Sequence, residues 1–371
     1  LTKRNRQSLS QEIRLTPKSS NSSSFFNKPS KTVTGIYLIN IKEHNHNLEY
    51  ASGLSYKDLN SNYDAKNLAF YFQNNLQINQ RLNFSTNYRI EKRDASYKDT
   101  NNLAFNPKES MWGGGVSINY NFSENKNWYF SYLKGYKAGG FNIGSSVPNN
   151  RKAFTKEFLY SAETGFKGSF FNDNIRGSVS FFSSSRRDQQ VSTSLQLDPN
   201  DPLSYIYFTD NAAKGFNRGI EVQLIWNIRN NINIDYNLGL LDTEYSKFQN
   251  PTLSVSGRDQ AHSPKYQYSI GINYENYRGF FGSLDLQGRD EFYYDDSHNK
   301  KSNPYHLVNL KLGYQRDNWV YSLWSKNLFN QSYSVRGFYF ANDPNDMSWT
   351  PQLFRRLGDP RHFGITIDYK F

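Results

Sequence analysis

Arginines and tyrosines in long polar stretches are the side chains best suited to chemistry in this chain. Arg258, Arg289, Tyr293, Tyr294, Arg336, Arg355 and Arg356 lie in or beside stretches at about 246–263, 292–303 and 330–360. Guanidinium groups present rigid forks of donors that match carboxylate or phosphate. These positions are therefore candidate contacts for an anionic ligand, with solvation or contact to an anionic surface as the alternative for each. A second candidate runs Lys134-Gly135-Tyr136-Lys137-Ala138-Gly139-Gly140-Phe141-Asn142. Paired glycines allow close backbone approach, and Tyr136, Lys137 and Phe141 suit an aromatic, anionic ligand. The alternative is that this segment packs on its neighbours and holds the surrounding strands.

Bond-making chemistry has little support. Zero Cys excludes thiolate nucleophiles, disulfides and Cys-based metal sites. The six histidines are dispersed, and only His44-Asn45-His46 and Asp295-Asp296-Ser297-His298 gather local metal donors. Asp198-Pro199-Asn200-Asp201 lacks the spacing of a calcium-binding EF-hand loop. No glycine-rich phosphate loop, HExxH helix or GxSxG elbow occurs. The expectation is a binding protein with no catalytic residues, resident metal or cofactor.

The elements that must carry these residues are β-strands. Hydrophobic residues make up only 36% of the 371, mean hydropathy is −0.81, and no run approaches the roughly 20 apolar residues of a membrane helix. Aromatics nevertheless reach 17%, which argues against disorder. Period-two alternation explains both. Phe363, Ile365, Ile367, Tyr369 and Phe371 fall on one face, and Gly364, Thr366, Asp368 and Lys370 on the other. The pattern recurs at 220–229, 232–240 and 308–315.

Strands are predicted at roughly 9–16, 32–43, 67–79, 81–94, 110–122, 127–137, 156–171, 174–188, 214–228, 231–245, 264–276, 279–291, 304–316, 318–328 and 361–371, about fifteen in all. Their connectors alternate short and long. Short turns lie near 79–80, 124–126, 172–174, 229–230, 276–278 and 316–318, and long stretches near 95–109, 138–155, 189–213, 246–263, 292–303 and 330–360. Aromatics gather beside the short turns, among them Tyr120, Phe122, Trp128, Phe170, Tyr274, Tyr314, Trp319 and Tyr321. An all-β, antiparallel up-and-down barrel spanning an outer membrane has this asymmetry and this aromatic girdle. A watery lumen on one face of each strand accounts for the low hydropathy.

The first and last strands would run the same way, whereas bacterial barrels have an even number of antiparallel strands. With the start at Leu1 and no signal segment, residues 1–371 read as the C-terminal part of a barrel whose first strands lie upstream.

Seven segments, in order along nearly the whole chain, resemble TonB-dependent outer-membrane receptors. They are Ser10-Gln11-Glu12-Ile13-Arg14-Leu15 with Gly35-Ile36-Tyr37; Trp128 to Asn142, similar to SYSxGYKAGGFN; Glu163-Thr164-Gly165-Phe166-Lys167, similar to ExGxK; Asn217-Arg218-Gly219-Ile220-Glu221, similar to SRGxE; Ser263-Pro264-Lys265-Tyr266; Lys326-Asn327-Leu328-Phe329-Asn330, similar to KNLFD; and Gly358-Asp359-Pro360-Arg361 before the last strand. The resemblance implies a 22-stranded barrel filled by a plug domain, which together with the first strands is absent from this sequence. It also implies energy coupling to a TonB complex through the plug and uptake of a scarce ligand, most often a ferric siderophore or other iron complex. The implied location is the outer membrane of a Gram-negative bacterium, among outer-membrane lipid and lipopolysaccharide. Phe363, Ile365, Ile367, Tyr369 and Phe371 resemble the signal read by the barrel-assembly machinery, where an edge strand offers its backbone and alternate side chains give specificity.

Two other classes compete. A passive porin-like or lipase-like barrel would share the strands, but the motif series and the lack of a catalytic motif weigh against it. A soluble basic β protein binding polyanions would fit the net charge of +11. Its bases would cluster on one face, whereas here they interleave with acids, as in Lys57-Asp58, Arg93-Asp94 and Arg289-Asp290. No nucleic-acid partner is expected.

Overall fold

The computed structural model describes residues 2–17, 24–25, 28–51, 54–143, 147–198, 204–248, 254–341, 343, 345–346 and 348–371. Fifteen strands form one antiparallel meander, each paired with its neighbours in the sequence. They are β1 (Thr2–Leu15), β2 (Lys28–Ala51), β3 (Leu54–Gln77), β4 (Leu82–Asp99), β5 (Lys108–Ser123), β6 (Lys126–Lys137), β7 (Glu157–Phe170) and β8 (Ile175–Gln196). The second half comprises β9 (Tyr205–Arg229), β10 (Ile232–Phe248), β11 (Tyr266–Glu275), β12 (Phe280–Arg289), β13 (Tyr305–Arg316), β14 (Trp319–Lys326) and β15 (His362–Tyr369). Among the described residues no pairing joins β1 to β15, so the sheet is open at these two edges.

Register places the apolar residues in ladders on one face. Ile13, Ile36, Phe70, Ile90 and Trp112 are successive direct partners across β1 to β5, and all are exposed. Leu312, Leu323 and Ile365 repeat this across β13 to β15. An apolar surface of that extent is tolerated only against lipid or a partner. The opposite, inner face is polar and cross-linked. Tyr71 donates to Glu12 (2.5 Å), Arg14 to Glu12 (3.0 Å), Asn67 to Glu91 (2.7 Å) and Tyr129 to Glu163 (2.5 Å).

The short turns fall where the sequence puts them. In the β11–β12 turn the Asn276 side-chain oxygen accepts from the N–H groups of Arg278 and Phe280. Gly279 then takes φ 88°, where a Cβ would lie 2.0 Å from the Gln315 carbonyl oxygen, so glycine is required. At the other end the strands run further than predicted. The 12-residue strand expected at 32–43 is a 24-residue strand, as is its partner β3, and β8 and β9 continue to 196 and from 205. Crossing a bilayer takes about 9–11 tilted residues, so these hairpins project well beyond the lipid. There both faces meet water, so the alternation fades while the backbone pairing persists.

Two smaller ribbons stand in the long connections. Gly140–Phe141 pairs with Ala153–Phe154, and Ser334–Phe340 with Gln352–Leu357. The segment predicted as an unbroken polar stretch at 330–360 thus holds a ribbon of its own.

Candidate functional site

The glycine-rich segment after β6 is locked to the wall. Tyr136 donates to Glu91 (3.0 Å) and accepts from Arg89 (3.2 Å). The Gly139 carbonyl accepts from Arg93 (2.7 Å) while its N–H donates to Glu109 (3.0 Å). A Cβ on Gly139 would stand 2.5 Å from the Phe154 carbonyl oxygen, and one on Gly140 2.5 Å from the Phe154 ring. Phe141 stacks on Phe105 at 5.2 Å and lies 4.8 Å from the Tyr97 ring. Asn142 bridges to the carbonyls of Arg151 and Thr209. Tyr136 and Phe141 therefore hold the segment in place, and Lys137 alone of the three is exposed.

A second cluster forms where the connections after β10 and β12 meet. Arg258, 9% exposed, donates to the His298 carbonyl and Asn299 (2.8 Å each), the Asp295 carbonyl (3.1 Å) and Asp296 (3.2 Å). Its guanidinium lies 4.2 Å from the Tyr293 ring centroid, a cation–π contact. Tyr245 donates to the other oxygen of Asp296 (2.8 Å). Burial raises the Asp296 carboxyl above its ordinary range and lowers the His298 imidazole below its own. The His298 Nδ1 accepts from the Lys300 backbone N–H (3.2 Å), which fixes it as the unprotonated nitrogen. Val191, Ala213, Tyr245, Phe248 and Val255 form the apolar floor. Tyr294, buried, meets Ser334 through its hydroxyl, and its ring fills the space a Cβ on Gly337 would need.

That contact ties the cluster to the second ribbon, which carries the unsatisfied positive charge. Arg336 stands directly opposite Arg356, and Arg355 opposite Gly337. All three are exposed, and none makes an ion pair among the described residues. Phe338, Phe340 and Phe354 expose their rings around them. The stems of this connection are clasped by Asn327, which donates to the carbonyls of Gln331 (2.9 Å) and Asp359 (3.1 Å) and accepts from the Gln331 N–H (2.8 Å).

Arg289 stands elsewhere, on the inner wall. With Glu221, Gln223, Asn237, Gln267 and Tyr305 it lines an open polar hollow of about 370 Å³. The structure thus joins Arg258 to Tyr293 and Arg336 to Arg356, and keeps Tyr136, Phe141 and Arg289 apart from both groups. The ribbon's phenylalanines and the residues of the hollow were not singled out by motif. The hollow's residues are the inward positions of their strands, which period two marks; the ribbon rings had no such signal.

At the sheet's last edge Phe363, Ile365, Ile367 and Tyr369 alternate on the outer face opposite Ser325, Leu323, Tyr321 and Trp319. Phe371 lies past β15, fully exposed, with its ring edge-on to Tyr369 at 5.2 Å. His46 bonds Asp58 and His44 bonds Asn62. Among the described residues no three His, Asp or Glu side chains gather to hold a metal. Part of the Asp198–Asp201 segment lies outside the described residues.

Three solved structures share this architecture. The ferric yersiniabactin uptake receptor FyuA from Yersinia pestis aligns with 100% of the chain and 55% of its own, at TM-score 0.74 and 19% identity. The siderophore receptor PiuA from Acinetobacter baumannii gives 100%, 56%, 0.72 and 15%. The copper transporter OprC gives 100%, 57%, 0.74 and 12%. At such identities the likeness is one of fold, and the chain spans about half the length of these proteins. The sequence itself matches the family described as TonB dependent receptor-like, beta-barrel over residues 5–330. With most of its length inside that match, the chain belongs to the TonB-dependent receptor β-barrel family of the Gram-negative outer membrane.

Proposed function

We propose that the chain is the C-terminal part of the barrel of a receptor that imports a scarce anionic metal chelate, a ferric siderophore or another iron complex, with TonB as energy-coupling partner through a plug domain. The observation that carries this reading is the arginine ribbon. Like charges directly opposite one another on a ribbon destabilise it, and an anion between Arg336 and Arg356 removes that cost. The exposed phenylalanines beside them suit a ligand with rings, and the polar inner wall with Arg289 lies below. The segment from Lys134 to Asn142 and the Arg258 cluster act as supports, with Lys137 as a further contact. FyuA is described as a ferric yersiniabactin uptake receptor, PiuA as a siderophore receptor and OprC as a copper transporter, so the shared fold does not by itself fix the ligand's metal.

The test uses the full-length protein and ferric catecholate, hydroxamate and carboxylate chelates, with binding followed by intrinsic fluorescence quenching. One class binds, and the variant R336Q/R355Q/R356Q binds it at least tenfold more weakly with unchanged heat-modifiable migration. Equal binding by the variant, or no binding of any iron chelate by the unsubstituted protein, overturns the assignment. Uptake that persists after the proton gradient is collapsed points to a passive channel.

A further inference from the structure

The arginine ribbon has two unlike faces. Arg336, Phe338, Phe340, Gln352, Phe354 and Arg356 alternate with their chain neighbours onto one of them, and all six are exposed. The other face rests on the connection after β12. There the Tyr294 ring fills the space over the buried Gly337, and its hydroxyl meets the buried Ser334. The His298 ring stands edge-on to that of Tyr339 at 5.7 Å, and the Lys300 ammonium lies 4.7 Å from the same Tyr339 ring. The exposed arginines and the seat beneath them therefore share one backbone.

Of the side chains in this seat, only His298 changes charge near neutral pH. It is buried, and its Nδ1 accepts from the Lys300 backbone N–H (3.2 Å), a bond open only to the unprotonated nitrogen. Protonation removes that bond and sets a further cation beside Arg258 and Lys300. Arg258, from the connection after β10, donates to the His298 carbonyl (2.8 Å), and both cations disfavour a charged ring. Asp295 favours one, whereas Asp296 is engaged by Arg258 (3.2 Å) and Tyr245 (2.8 Å). From the ribbon, Tyr339 faces His298 with a ring that the Lys300 ammonium already shares. A charged imidazole is thus drawn towards Asp295 and away from the ribbon.

We infer that protonation of His298 lifts the ribbon from its seat, so that an anion held between Arg336 and Arg356 is released as the surroundings acidify. This rests on the ribbon being the ligand site. The sign follows from the environment: a buried neutral ring completes the seat above about pH 6.5, and its contribution is lost as pH falls below that value. Two like charges stay opposite one another only while the backbone beneath them is fixed, and a ribbon set free loses the preorganisation that binding needs.

Two measurements on the full-length protein in mild detergent test this at pH 7.5 and 5.5. Hydrogen exchange of segments 334–340 and 352–357, corrected for intrinsic rates, is at least fivefold faster at the lower pH, with β13 and β14 unchanged. His298→Asn keeps an acceptor where Nδ1 stands but cannot titrate, and its ribbon exchanges equally at both pH values. Binding of pyrene-1,3,6,8-tetrasulfonate, a ring-bearing anion ionised throughout this range, weakens at least threefold on acidification in the unsubstituted protein and stays constant in H298N. Equal ribbon exchange at the two pH values, an undiminished acid response in H298N, or probe affinity that holds or rises while the ribbon loosens overturns the inference. A probe that R336Q/R356Q binds as well as the unsubstituted protein, or that neither binds at pH 7.5, counts instead against the ribbon as the ligand site, and the exchange measurement then still decides whether His298 controls the seat.

Discussion

Arg258 is the side chain on which the loop cluster most depends, because it alone satisfies acceptors from four residues between Asp295 and Asn299. Arg258→Met keeps the packing volume but leaves the half-buried Asp296 without its cation. Breaking such a pair from one side costs roughly 3 kcal/mol. Protease accessibility of the connections at 254–265 and 290–304 on intact cells is expected to rise at least tenfold, while heat-modifiable migration stays unchanged. His298 adds a pH dependence. Its folded value lies below the ordinary 6.5 because burial disfavours the charged ring. The neutral ring's contribution is therefore present above about 6.5 and is lost as pH falls through that value towards the folded one. Asp295 and Lys300 face it together with Arg258, and Asp296, raised by burial, acts with the opposite sign. Hydrogen exchange of the 292–303 segment, corrected for intrinsic rates, is expected to quicken between pH 7.5 and 5.5, and His298→Gln is expected to flatten that change.

Among the elements, the clasp at Asn327 determines whether the arginine ribbon has a fixed base. Asn327→Asp replaces the amide that donates to two carbonyls with acceptors alone, and the buried, unmet groups cost about 1–3 kcal/mol. Faster hydrogen exchange across 331–359, with β13 and β14 unaffected, is the expected readout. Strands over the membrane were legible because one face meets lipid and the other water, which writes a period of two into β10, β13 and β15. Where β2, β3, β8 and β9 rise past the lipid, that contrast disappears, and the sequence alone reads as loop what the backbone still pairs. The segment from Lys134 to Asn142 was legible as special through its glycines. Whether it grips a ligand or a wall was not, because Arg93, Glu109 and Phe105, its partners, come from strands distant in sequence. Arg258 had the same difficulty: a loop arginine reads as free until its acceptors on another loop are seen.

For the whole molecule, the excess of positive charge has a spatial meaning that composition hides. Part of it stands on the arginine ribbon and part on the outer wall, while on the inner wall Arg14, Arg89 and Arg93 are paired with Glu12, Glu91 and Glu109. The outward residues of β15, with Phe371 exposed beyond them, are the segment proposed as the barrel-assembly signal. Deleting Phe371 from the full-length protein is expected to lower the heat-modifiable fraction in outer membranes several-fold, and unchanged assembly would remove the basis for that role. The Asn327 clasp also bears on how the molecule can diversify. Because one amide closes the stems at Gln331 and Asp359, the closure of the intervening chain is fixed before its sequence is chosen, and loop length adds only slowly to that cost. The ribbon is therefore a cassette whose length and tip can change while its stems and the lipid-facing strands beneath stay as they are.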